Sequence, residues 1–200
     1  ITNNAALAFN RSDAVTFAGS ISGSGSLKKL GGGTLTMTGA NTYTGGTTVN
    51  AGTLNVAGSL VSAVTVNNGG TLSGTGTLGA VTVLDGGIIA PGTSPGTITL
   101  GSLALTPSSV VNFELDTPGV AGGGINDLIV VSGALTLDGT VNVTALPNFG
   151  NGVYTLITYG SVTDNDLELG TMPGGGLGYA LHTGTVLPNA VTLSVSGGPV

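Results

Sequence analysis

Short β-like bursts recur in this chain at a nearly constant interval, and that interval limits the available folds more than any other feature. Val64-Thr65-Val66, Val81-Thr82-Val83 and Ile98-Thr99-Leu100 follow one another at seventeen residues. An interleaved series, Gly52-Thr53-Leu54, Gly70-Thr71-Leu72 and Gly87-Ile88-Ile89, runs at eighteen and seventeen, and Gly33-Thr34-Leu35 precedes it by nineteen. Two series that share one period define a coil, not a hairpin meander. Each coil holds two or three short strands joined by glycine corners, and stacked coils pair strand on strand in parallel, about 4.8 Å apart. Side chains alternate between faces along a strand, so residues at matching coil positions stack in columns. The expected interior columns are Leu35, Leu54, Leu72 and Ile88 in one series, and Val66, Val83 and Leu100 in the other.

The local chemistry agrees with that period. Lys, Glu, Arg and Gln are scarce, while Thr, Val, Leu and Ile alternate with small polar residues, a strand pattern. Glycine, 38 of 200 residues, bounds almost every burst, as at Asn68-Gly69-Gly70 and Asp85-Gly86-Gly87. From about Asn112 the bursts lengthen and acids and aromatics collect, among them Phe113, Phe149, Tyr154, Tyr159 and Tyr179. The end of a solenoid must cover an open apolar cross-section, so its last repeats are atypical. Residues 1–111 are therefore read as regular solenoid coils, and residues 112–200 as the last irregular coils and C-terminal cap of the same solenoid. Pro118–Gly124 is read as an exposed loop between them.

Composition removes several function classes. Charged residues are 6% of the chain, against roughly 25% in an ordinary domain, and the net charge is −6. The three cations, Arg11, Lys28 and Lys29, lie within the first 29 residues, so no basic surface exists for nucleic acid. Without cysteine there are no disulfides, thiolate metal sites or thiol nucleophiles. No apolar run reaches the eighteen or more residues of a membrane-spanning helix. Ile1 lies in a polar context, with neither a basic start nor an apolar stretch, which is expected of a piece excised from a longer chain.

The most specific segment is Gly31 to Leu54, GGGTLTMTGANTYTGGTTVNAGTL. Its Gly33, Thr34, Leu35, Gly39, Asn41, Tyr43, Gly45, Thr47, Val49, Gly52 and Leu54 closely resemble the autotransporter-associated β-strand repeat. Glycine richness alone would not put Asn41 and Tyr43 in place. Phe17–Leu27 looks like the lead-in to this repeat, Ala90–Thr97 like the coil that follows it, and Asn126–Gly139 like later passenger coils. The resemblance implies a right-handed parallel β-helix from the C-terminal part of a type V secreted passenger. It implies export across the outer membrane through a C-terminal β-barrel of the same precursor, a position outside the cell or on the bacterial surface, and a role of the repeats in export.

Candidate chemistry is sparse. His182, the single histidine, sits in a strand-like burst of the expected cap, with no second group to orient it as a base. Hydrolytic carboxylates work in pairs, and between Val49 and Leu105 the one acid is Asp85, in a turn. Asp164, Asp166 and Glu168 cluster and could bind Ca²⁺ weakly through oxygens, but the rest of a calcium loop is missing, and a solvated turn is the plainer reading. Gly122–Asp127 resembles a calcium β-roll repeat but has Ile125 where glycine is needed and no tandem copy. Gly74–Gly79 fits GxGxxG, of which about one chance match is expected at this glycine content. It leads into a strand and offers no helix N-terminus to a phosphate. Asn10-Arg11-Ser12 and Asn142-Val143-Thr144 fit a glycosylation sequon, which carries no weight if the source is bacterial. Catalytic, cofactor and metal residues are accordingly expected to be none.

Two functions remain. The first is a structural, non-catalytic solenoid segment that folds outside the cell, supports export and presents upstream passenger regions. The second is an adhesin or filament-forming module whose Thr-rich face contacts host, matrix or neighbouring cells. A β-helical polysaccharide enzyme is disfavoured by the scarcity of paired acids and bases.

Overall fold

A computed structural model describes residues 1–197, so the last three residues of the expected cap, to Val200, lie outside the described part. The described residues contain twenty strands and no helix. The first coil contributes β1 (Ala6–Phe9) and β2 (Val15–Phe17). The second contributes β3 (Ser26–Lys29), β4 (Thr34–Met37) and β5 (Ala40–Asn41). The third contributes β6 (Thr47–Val49), β7 (Gly52–Val56) and β8 (Ser59–Leu60). Then come β9 (Val64–Val66), β10 (Gly70–Gly74), β11 (Thr77–Val83), β12 (Ile88–Pro91), β13 (Thr97–Leu105) and β14 (Val110–Leu115). The last coils hold β15 (Leu128–Leu137), β16 (Thr140–Ala145), β17 (Gly152–Asp164) and β18 (Glu168–Leu169), followed by β19 (Leu177–Thr183) and β20 (Ala190–Gly197).

These strands form two sheets. One runs β2-β4-β7-β10-β12-β14-β16-β18 and the other β1-β3-β6-β9-β11-β13-β15-β17-β20-β19. Every pairing up to β17 and β18 is parallel, and only β20 and β19 run antiparallel. The molecule is a parallel β-helix whose C-terminal end is covered by a hairpin.

The first column is Leu35, Leu54, Leu72, Ile89, Val111 and Val141, all buried. Ile89, not Ile88, continues it. Ile88 is in register with Thr71 and Val110 on the half-exposed face. The seventeen-residue offset from Leu72 leads to Ile89, and a one-residue slip in a strand reverses the face. The second column is Val49, Val66, Val83 and Leu105. Leu100 is buried, but in another column, with Leu60, Leu78, Val131 and Tyr159.

The reason for the second correction is a fusion of strands. In the third coil, β8 and the following β9 are separate; their continuations merge into the single strand β11, because β11 pairs with both. From there the sheet carries long strands, and the Val83-to-Leu105 step is twenty-two residues rather than seventeen. A fixed period cannot follow a coil that changes its number of corners.

Glycine at the corners answers to crowding between neighbouring coils. A Cβ at Gly52 would lie 2.5 Å from the Gly33 carbonyl oxygen, and its φ of +63° is itself one that other residues avoid. The interior also holds a cation. Lys29 stands in register between Phe9 and Val49 and is 2% exposed. Its ammonium donates to the carbonyls of Gly31 and, at 3.0 Å, Ala51, and burial pushes its pKa down. The cation therefore satisfies corner carbonyls instead of facing water.

Candidate functional site

The residues that make the repeat recognisable are buried connectors. Asn41 is fully buried, and its amide makes three hydrogen bonds. Oδ1 accepts from Ile21 N at 3.1 Å, and Nδ2 donates to the carbonyls of Gly39 (2.9 Å) and Ser59 (3.2 Å), so one side chain ties three successive coils together. The Tyr43 hydroxyl meets Thr47 Oγ1 at 2.5 Å, which in turn meets Ser62 Oγ at 2.7 Å. Burial raises the Tyr43 pKa, so the phenol stays neutral in the core.

On the outside, one column of the eight-stranded sheet carries polar groups. Thr16, Thr36, Asn55, Ser73 and Ala90 are in register, and Asn112 pairs with Asn142 further along. They alternate with the buried column of Leu54, Leu72 and Ile89, which sets them facing away from the core. A groove of about 540 Å³ opens over Ser73, Ala90, Asn112 and Asn142, with Glu114 and Asp127 beside them. Asn142 Nδ2 donates to Asn112 Oδ1 at 3.0 Å, and Asn142 Oδ1 accepts from Thr171 N at 2.7 Å. Asn55 Nδ2 donates to Ser73 Oγ at 3.1 Å.

Asp127 lines this groove yet is only 2% exposed. Its Oδ1 accepts from Gly96 N at 2.7 Å and its Oδ2 from Glu114 N at 2.8 Å, so it fastens two otherwise separate coil segments. Desolvation pushes its pKa up to about 6 against the pull of those two bonds, and the nearby Glu114 charge adds to the rise. The preceding Asn126 is fully buried. It accepts from the N–H groups of Asp116 and Thr117 and donates to the carbonyls of Thr117 and Val120, holding the excursion between β14 and β15. The segment that imitates a calcium roll thus ends in two structural clasps.

A pH dependence follows from Asp127. Its unfolded pKa is about 3.9, so between about pH 4 and pH 6 the folded chain holds a proton that the unfolded chain has released. Stability then falls as pH rises through that window, and the penalty is absent below it and complete above it. Thermal unfolding at pH 4.5 and pH 7 is expected to give the lower melting temperature at pH 7. Asp127→Asn should flatten that slope while lowering stability at both pH values, because an amide nitrogen cannot accept from the second N–H. A melting temperature that rises across the interval would contradict this.

The remaining acids are dispersed. Asp85 Oδ1 accepts from Thr106 Oγ1 at 2.6 Å and Ser108 N at 3.0 Å; these bonds lower its pKa and brace a turn between coils. Asp164 closes β17 and accepts from Asp166 N at 3.2 Å, with Asp166 at φ 84° in the turn, while Glu168 sits on β18. Asp164, Asp166 and His182 do share a smaller groove of about 310 Å³. Among the described residues, no three of His, Asp and Glu gather as metal ligands would. Gly74–Gly79 spans the corner between β10 and β11. Sequence reasoning missed Asp127 and the asparagine column. A signal for the column was present, since Val111-Asn112-Phe113 and Val141-Asn142-Val143 repeat an apolar-Asn-apolar pattern already seen in Leu54-Asn55-Val56.

Comparison with known proteins agrees with this architecture. Residues 27–56, from β3 through β7, match the passenger-associated-transport-repeat family. Over 98 residues, 46% of this chain, the sequence is 51% identical to the adhesin BmaC autotransporter of Brucella suis biovar 1 (strain 1330). The matched stretch is 3% of that much longer protein. Residues 27–56 thus carry a passenger-associated transport repeat, and almost half of the chain is similar to a short part of an autotransporter adhesin.

Proposed function

We propose that this passenger repeat region is a non-catalytic β-solenoid that folds outside the cell, supports export through a C-terminal outer-membrane barrel of its precursor, and holds preceding passenger segments away from the surface. The observation that carries the reading is the unbroken parallel stacking from β1 to β18, ended by an antiparallel hairpin. A chain built this way can add one coil at a time onto a finished end. Residues 112–200 supply that end and residues 1–111 the coils laid upon it. Each folded coil then opposes return of the chain through a narrow pore.

The test uses the full precursor, with Asn41→Ala introduced to destabilise the coils. Surface-exposed passenger, measured by protease accessibility on intact cells, is expected to fall severalfold at unchanged barrel insertion. Export at the unmodified level, with the purified variant segment shown to be unfolded, would overturn the export role.

A second reading, that of a surface-binding module, is favoured by the polar groove and by the similarity to a protein named as an adhesin. Both readings need only a stable, non-catalytic solenoid, and one segment can serve both.

A further inference from the structure

We propose that the groove over Ser73, Ala90, Asn112 and Asn142 is a binding subsite for a neutral saccharide chain; the proposal rests on the surface-binding reading. The floor of the groove holds unused hydrogen-bonding capacity. Asn142 commits its Oδ1 to Thr171 N and one Nδ2 proton to Asn112 Oδ1. Among the described residues, both Nδ2 protons of Asn112 and the second of Asn142 have no protein acceptor. Ser73 Oγ receives a proton from Asn55 and has its own left to donate. Glu114 points outward between the buried Phe113 and Leu115, and its carboxylate accepts from no protein donor among the described residues.

Charge then selects the ligand class. The groove has no Lys, Arg or His along its lining and has two carboxyl groups. A phosphate, sulfate or uronate would meet like charge and no compensating cation. Sugar hydroxyls both donate and accept, so they can answer amide donors and the Glu114 acceptor side by side. The volume, about 540 Å³, falls within the range of small-ligand sites.

The geometry favours a chain over a single ring. Ser73 and Ala90, and Asn112 and Asn142, pair in register on successive parallel rungs, about 4.8 Å apart. A polymer lying across the rungs meets the polar side chains of Ser73, Asn112 and Asn142, with the small Ala90 leaving room between them. Phe113 turns its ring into the core, 1% exposed, so no aromatic platform is offered. Binding therefore depends on hydrogen bonds spread along the chain and strengthens with oligomer length.

The experiment titrates the full chain by calorimetry with malto-, cello- and manno-oligosaccharides, beside oligogalacturonate, a sulfated heparin oligosaccharide and spermine. Saturable binding of at least one neutral oligosaccharide is expected, tighter for the hexamer than for the dimer, with none of the three charged probes binding comparably. Asn112→Ala should weaken binding tenfold or more. Ala90→Trp, which fills the floor without removing a polar group, should abolish it, and Thr65→Ala on the outer face of the other sheet should leave it unchanged. If Asn112→Ala fails to fold, Ala90→Trp decides alone. Absence of neutral binding, preference for a charged probe, or wild-type binding by Ala90→Trp would overturn the site. Adhesion of the chain to cells and matrix, measured in parallel, separates the levels. A chain that adheres equally well with Ala90→Trp keeps the binding-module reading and loses this groove, and a chain that adheres to nothing loses both.

Discussion

Deletion of residues 170–200 is expected to leave a chain that aggregates and is rapidly digested, whereas deletion of residues 1–20 leaves a folded, protease-resistant core. The asymmetry follows from how the two ends are finished. At the C-terminal end, β20 pairs antiparallel with β17 and places Val191, Leu193 and Val195 against a layer that includes Tyr154 and Ile157, all buried. Each such side chain contributes about 1.5–3 kcal/mol when buried, so losing the hairpin costs on the order of 10 kcal/mol. That is comparable to the whole stability of an ordinary domain, about 5–15 kcal/mol. The deletion also bares β17, thirteen residues long, without lysine or proline to guard its edge. At the N-terminal end, Leu7, Phe9, Val15 and Phe17 are already only partly buried. Removing β1 and β2 loses one incomplete coil interface and opens an equivalent edge on the next. Limited proteolysis with intact-mass readout, beside circular dichroism, checks both deletions. A resistant chain lacking 170–200 beside a labile one lacking 1–20 would reverse the assignment of the stable end.

Asn41→Ala is expected to destabilise the chain by about 2–4 kcal/mol, since a buried polar group left without its partner costs about 1–3 kcal/mol. The substitution strands the Ile21 N–H and removes the amide's bonds to the carbonyls of Gly39 and Ser59, the first of which still accepts from Ser59 N at 3.2 Å. None of them lies in the same coil position, so no single relaxation can re-pair them. At about 2–4 °C per kcal/mol for a chain of this size, the melting temperature should fall by on the order of 10 °C. Asn41→Asp tests the geometry. It keeps the acceptor for Ile21 N–H but turns both donor bonds into contacts between oxygens, and it should be no better tolerated than alanine. A change under 1 kcal/mol in denaturant unfolding of Asn41→Ala would show that the clasp is not what holds these coils.

Asn41 and Tyr43 illustrate how far the sequence could be read. Their presence at fixed offsets within Gly31–Leu54 marked the repeat, yet nothing in the one-dimensional pattern revealed that both side chains point inward. Asparagine in a turn-rich segment reads as exposed, and only the stacked coils on either side supply the partners that make its burial tolerable. Lys29 is a similar case. A lysine beside Lys28 reads as surface charge, and its place inside depends on two corner carbonyls, one of them twenty-two residues away.

The sequence by itself determined the β-solenoid class, the parallel stacking and the apolar columns Leu35-Leu54-Leu72 and Val66-Val83, because these rest on periods within one or two turns of chain. The alternation along each strand and the interval between strands are both local enough to be seen in a window of about twenty residues. Tertiary structure decided what happens once coils change shape. The merging of two strands into β11 moved Leu105 into the column where Leu100 was expected, and the long coil between Gly96 and Asp127 brought that carboxylate onto the backbone of Gly96 and Glu114. Those contacts join residues thirteen and thirty-one positions apart, across an excursion of irregular length, and no repeat encodes such a distance. The polar groove depends on the same closure, since its column is assembled from four strands that meet only when the coils stack.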